Sequence, residues 1–267
     1  MVNSTITNSD FPAASGALES FGLKFSPGGP HVSRTMMLKE LGAVLTNVPQ
    51  GSGVADYRAA ILVRNVLGKA TDSTRVESLR RLRELYALDE SRPIFGLLIK
   101  LYAIHPASLP LLALQVAFAR DPTFRATAPA VVDAAFGSRV ETVGLTQAFA
   151  EKFLNQYSAL IQGQTGRHAA SSWTQSGHLL GRTKKTRQKI IPTLAAVTMA
   201  LFLGNISDYH GAAVFSNPWC RLLDLDADRA RGLAQEAHRA GLLNLRAVGE
   251  VVEISFPLFA EFQGQRS

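Results

Sequence analysis

Asp224, Asp226 and Asp228 stand two residues apart, a spacing at which carboxylates ligate Ca²⁺ in a loop. The rest of such a loop is missing, because Gly232 comes too late for the central turn and no glutamate stands at the closing position. Helix N-capping and solvation account better for the trio. Gly177-His-Leu-Leu-Gly181-Arg-Thr is like a phosphate-binding loop, but it has three residues between its glycines where four are needed, and Arg in place of Lys. Gly163-Gln-Thr-Gly166 is too short for a dinucleotide fingerprint. His168 and His178 have no Cys or carboxylate at metal-ligand spacing, and neither HExxH nor GxSxG occurs. The single thiol, Cys220, excludes an internal disulfide and a Cys-based zinc cluster, and it fits a reducing compartment. The expectation is a protein without catalysis, metal or cofactor.

The charges are placed unevenly. The chain carries 28 Lys+Arg and 21 Asp+Glu, an excess of seven. Between residues 152 and 207 there is no acid, and that stretch holds Lys152, Arg167, Arg182, Lys184, Lys185, Arg187 and Lys189. Those seven cations equal the whole net charge, so the rest of the chain balances to zero. Concentrated positive charge is the electrostatic footprint of a phosphate-backbone reader. The residues at 163–178 add hydroxyl and amide donors of the kind that meet phosphate oxygens. Trp173 among them is expected to anchor the segment to the core rather than to stack on a base. A solvated basic loop without a partner is the plainer alternative.

Helices must position these groups. Apolar residues recur at helical spacing over 32–48, 54–67, 73–88, 94–103, 109–120, 124–135 and 146–162, with no convincing strand among them. In 73–88, Thr74 and Glu77 have capping-box spacing, while Glu77–Arg81 and Arg80–Glu84 stand four apart and can pair. The apolar stretches 101–119 and 190–203 are broken by prolines or too short to span a bilayer, and read as buried helices. After a further apolar helix at 193–203 and a short helical turn at 218–223, the pattern changes. Residues 227–240 form an amphipathic helix with Asp226 as N-cap and Gly241 after its end. Alternating residues on both sides of Val248-Gly249 then predict a β-hairpin. That order is the order of a winged helix, in which 227–240 would carry Arg229, Arg231, His238 and Arg239 into a groove.

Several segments resemble the BrxA family, a component of the BREX bacteriophage-defence systems of bacteria. Phe25-Ser-Pro-Gly-Gly is similar to that family's Phe-Ser/Thr-x-Gly-Gly opening. Lys69-Ala-Thr-Asp-Ser-Thr-Arg leading into Leu79-Arg-Arg-Leu-Arg-Glu-Leu resembles its polar start and Arg-rich helix, and Ala240-Gly-Leu-Leu before a hairpin is similar in character. The basic stretch 163–189 lies outside the resemblance. The resemblance implies an all-α fold related to the NusB bundle, double-stranded DNA binding and no catalytic role.

The expected organisation is a disordered tail over 1–20, a helical bundle over 21–162, a basic acid-free segment over 163–191 and a winged-helix-like subdomain over 192–267. The expected protein is soluble, cytoplasmic and independent of membranes. It would bind duplex DNA through Arg167, Arg182, Lys184, Lys185, Arg187 and Lys189, with Arg229, Arg231 and Arg239 as second contacts, alone or with other defence-system proteins. An acidic protein partner and RNA remain the alternatives.

Overall fold

Three helices form the centre of the molecule: α5 (Pro93–Ile104), which buries most of its residues, and α6 (Leu109–Arg120) and α11 (Leu194–Ile206), which bury nearly all of theirs. They hold most of the two long apolar stretches, and among the described residues no helix is long and apolar enough to cross a membrane. The structure is a computed structural model that describes residues 11–248 and 251–263. It is mostly helical, with two small antiparallel sheets. One core runs from Leu18 to Phe259 and joins sections expected to be separate.

Around the centre lie α1 (Gly16–Phe21), α2 (Leu38–Asn47), α3 (Val54–Leu62) and α4 (Asp72–Tyr86). In α4, Leu79, Leu82, Leu85 and Tyr86 are buried at helical spacing, and Glu77 pairs with Arg80 and Arg81 on the outer face. The capping box sits one turn before the expected one: Thr71 Oγ1 accepts from the Thr74 amide at 3.3 Å. The stretch at 32–48 is helical only as α2, since Met37 before it has φ 53°, a left-handed conformation that ends helical continuity. The expected helix at 124–135 is two short turns, α7 (Pro122–Arg125) and α8 (Pro129–Val132), each opened by a proline.

The sequence predicts a loose tail over 1–20. The residues before Phe11 lie outside the described residues, but Phe11 packs against the core. Its ring meets Phe25, Phe118 and Trp219 at 5.7, 5.7 and 5.3 Å, and the Arg125 guanidinium lies 3.6 Å above it. A large aromatic with that many partners orders the segment that carries it.

Two corrections concern the middle of the chain. A helix expected to run unbroken over 146–162 is instead α9 (Thr142–Lys152), a turn, and α10 (Ala159–Gln175). Asn155, at φ 59°, sits in the turn, and Ser158 caps α10 by accepting from the Ile161 amide. Strands also occur where none was expected. β1 (Arg139–Val140), β2 (Leu179–Leu180) and β3 (Lys185–Arg187) form a sheet in the order β1-β3-β2. Arg139 and Val140 stand opposite Thr186 and Lys185, and Leu179 and Leu180 stand opposite Arg187 and Thr186.

The last part follows expectation closely. After α11 come α12 (Pro218–Leu222), a short turn, and α13 (Ala227–Arg239). Asp226 accepts from the Arg229 amide at 2.8 Å, and Gly241 follows the helix at φ 73°. β4 (Asn244–Val248) and β5 (Val251–Ser255) then pair as a hairpin, with Arg246 opposite Glu253. Gly249 of the expected turn and Glu250, which begins the expected second strand, lie outside the described residues.

Candidate nucleic-acid interface

The acid-free stretch is not a separate segment; it forms α10, β2 and β3. Residues expected to present loop donors around Gly163 are helical, because the helix buries an internal face of Ala169, Ala170, Ser172 and Trp173. Gly166 lets α10 approach α9: a Cβ there would stand 2.2 Å from Thr146 Oγ1. Trp173 is an anchor, as expected, fully buried with its Nε1 donating to Thr127 Oγ1 at 3.0 Å. Its neighbour His178 is also enclosed. Nε2 donates to the Leu222 carbonyl at 2.8 Å, which ties the end of α10 to α12.

Burial pushes the His178 imidazole down to about 3. The free residue titrates near 6.5, so the unfolded chain binds a proton that the folded one rejects. The contribution is therefore complete above pH ~6.5 and is lost as pH falls towards the folded value, at up to about 1.4 kcal/mol per pH unit. Urea unfolding at pH 7, 6, 5 and 4 should show stability falling through this window. The fall should be shallower in His178→Gln; an unchanged slope in that variant would remove His178 as its source.

Between α10 and the β2–β3 turn lies an open groove of about 790 Å³. Arg167 enters it from α10, while Arg182 and Lys185 enter from the turn and β3. Thr142, Ser171, Thr174, Gln175 and Thr183 supply hydroxyl and amide groups, and no carboxylate lines it. Lys185 shapes the groove: its Nζ donates to Thr174 Oγ1 at 2.7 Å and to the Gly181 carbonyl at 3.1 Å, pinning the turn to the helix. Burial lowers its pKa from the ordinary lysine value. Arg167 and Arg182 are exposed and have no carboxylate partner among the described residues, and Lys184 projects from the same turn.

Not all of the expected residues gather here. Arg187 does not: it is in the core. Its guanidinium pairs with Asp224, donates to the Val131 carbonyl at 2.7 Å and contacts the Gln188 carbonyl, with every donor directed inward. Asp224 also accepts from the Ile190 amide at 2.9 Å. Of the three aspartates, Asp226 is the cap that was expected, and Asp224 is this buried counter-ion. Among the described residues no cluster of His, Cys, Asp or Glu could hold a metal ion. Lys189 lies over the Phe136 ring at 5.6 Å, away from the groove lining. Arg229 and Arg239 are exposed on α13, and Arg231 lies over Phe215 at 5.3 Å. These three do not line the groove, and α13 also exposes Asp228 and Glu236.

No family model and no curated protein matches this chain.

Sequence reading missed Thr142, which reaches the groove from the start of α9, and a fully buried chain of three side chains. His31 Nδ1 donates to Asp121 Oδ2 at 2.7 Å, and Nε2 meets Ser172 Oγ at 2.8 Å. The order and distances are those of a nucleophile, a base and an orienting acid. Burial removes that role, since all three residues have no exposure and Ser172 Oγ is also engaged by the Met36 amide and the His168 carbonyl. The chain fastens the 3₁₀ turn Pro30–Val32, which precedes α2, to α6, α7 and α10. No sequence signal joins His31 to Asp121 across 90 positions.

Proposed function

We propose that the protein binds duplex DNA through its phosphates at the α10–turn groove, without catalysing a reaction. The observation that carries this reading is a groove with three basic side chains, five hydroxyl or amide side chains and no carboxylate. Charge-assisted and neutral donors together suit phosphate oxygens, and the missing acids remove local repulsion. Arg167, Arg182 and Lys184 carry most of the affinity, with Lys185 shaping the site.

The order α12–turn–α13–hairpin is that of a winged helix, and α13 would bring Arg229 and Arg239 to a neighbouring part of the duplex. Its mixed charges make it the weaker contact. The resemblance to the BrxA family supports a place in a bacterial phage-defence system, on a NusB-like bundle, alongside other defence proteins in the cytoplasm.

A second reading has its own observation. Leu180 and Ile191, 65% and 84% exposed, flank the cations, and apolar groups beside charge suit an acidic protein partner. RNA is a third polyanion with the same phosphate chemistry.

Fluorescence anisotropy of a 20-base-pair duplex across a salt series separates these readings. The parent should bind tightly at low salt and weaken linearly on a log–log plot. Arg167→Ala/Arg182→Ala/Lys184→Ala should flatten the slope by about one for each phosphate that is no longer neutralised. No binding at low salt would end the DNA reading. Stronger competition by poly-glutamate than by unlabelled duplex would favour the acidic partner, and stronger competition by single-stranded RNA would favour RNA.

A further inference from the structure

We propose that the cleft between α1, α3 and α4 binds a small organic phosphate, at a site separate from the groove. The cleft encloses about 580 Å³, within the usual size of a small-ligand pocket. Its basic lining is Lys24, Arg58, Arg80, Arg83, Arg92 and Arg120, and its acidic lining is Glu19, Glu84 and Asp89, an excess of three positive charges. No residue of this cleft lines the groove described above.

The charge at the cleft's base has no counter-ion. Arg120 is only 8% exposed, and its donors go to main-chain carbonyls: Gly22 at 2.7 Å, Glu84 at 3.2 Å and Arg83 at 3.4 Å. No carboxylate pairs with it among the described residues. Lys24 Nζ beside it also meets a carbonyl, that of Glu84, at 3.4 Å. Burial first, then the Arg120 charge, lowers the pKa of Lys24. The nearby acids pair with arginines of the rim and not with Arg120 or Lys24. Glu84 pairs with Arg80 and Arg81, and Asp89 holds the Ser91 hydroxyl at 2.6 Å and lies 4.0 Å from Arg92. Two neighbouring cations, one nearly enclosed, repel each other, and an anion in the cleft relieves that repulsion.

The mouth of the cleft completes the site. Arg58 and Arg83 are exposed there with no carboxylate partner among the described residues, free to close on a bound anion. Val76, 55% exposed, and Leu79 give the wall an apolar strip suited to a ligand's organic part. A phosphate monoester, with a charge of about −1.5 to −2 at neutral pH, matches an excess of three better than a carboxylate does. Guanidinium forks fit its oxygens in pairs.

The probes are phenyl phosphate, inorganic phosphate and benzoate, titrated calorimetrically into the full chain at low salt. Phenyl phosphate should bind saturably at one site, more tightly than either of the others. Arg58→Ala/Arg83→Ala, two exposed positions that should leave the melting temperature unchanged, should weaken it tenfold or more. Arg167→Ala/Arg182→Ala should leave it intact. The proposal falls if no saturable binding occurs, if benzoate binds as tightly as phenyl phosphate, or if the Arg58/Arg83 variant binds like the parent. It also falls if that variant loses duplex affinity as strongly as phenyl phosphate affinity, because the cleft would then belong to a continuous polyanion surface.

Discussion

Asp121→Ala should cost about 3 kcal/mol of stability or more, because each buried donor left without an acceptor costs about 1–3 kcal/mol. Five hydrogen bonds end on this carboxylate. Oδ2 accepts from the His31 amide at 2.9 Å and from its ring, while Oδ1 accepts from the Thr123 amide, the Thr123 hydroxyl and the Phe124 amide at 2.9, 2.5 and 3.1 Å. Alanine would strand five enclosed donors, each costly without an acceptor. Asp121→Asn keeps an acceptor for Thr123 and Phe124 but turns an amide towards His31, so its loss should be smaller. Gly29→Ala should act in the same direction from the other side, because its Cβ would stand 1.8 Å from Asp121 Oδ1. That proximity also gives a physical reason for glycine at the end of Phe25-Ser-Pro-Gly-Gly. Burial alone would raise the Asp121 pKa; the facing His31 charge and the hydrogen bonds outweigh it and hold the carboxyl below its ordinary value. The stabilisation is therefore present above pH ~4 and lost as pH falls through the lower folded value. Urea unfolding at pH 7 is the measurement, and a loss under about 1 kcal/mol in Asp121→Ala would show that the network is not needed for stability.

Arg187→Ala should be comparably damaging, about 3–5 kcal/mol, since it leaves Asp224 enclosed without its cation. The effect on ligand binding is the sharper lesson. A charge-removal set of Lys184, Lys185 and Arg187 would abolish DNA binding by unfolding the sheet that carries the groove, whatever the ligand. Arg187→Met/Asp224→Leu should lose less stability than the two single changes together, as a double-mutant cycle between paired groups requires. Additive losses would show that the pair is not coupled. Circular dichroism and melting temperature must accompany every binding measurement on these variants.

The contrast between Arg187 and Arg182 explains how far sequence carried the reading. Both are arginines in one acid-free stretch, and nothing local separates a core residue from a surface one. What separates them is β3, a three-residue strand whose partner Arg139–Val140 is remote in sequence, and Asp224, 37 residues downstream. Local signals worked where local physics decides. The α6 bounds, the Asp226 cap, Gly241 after α13, the hairpin and the Trp173 anchor were all legible. α10 was not, because its glycines and serines have weak helix propensity and the helix is held by a buried face against α9. The α10–turn groove was visible as charge but not as shape, since Thr142 comes from another element.

Phe11 has a consequence for how the chain is made. Its ring sits against Trp219, so Phe11 waits for a residue synthesised about 200 positions later. At the usual 5–20 residues per second of synthesis, that wait is roughly 10–40 s. For that interval Phe11 can reach Phe25 and then Phe118, but the face that meets Trp219 stays uncovered, and the growing chain offers that apolar surface to chaperones.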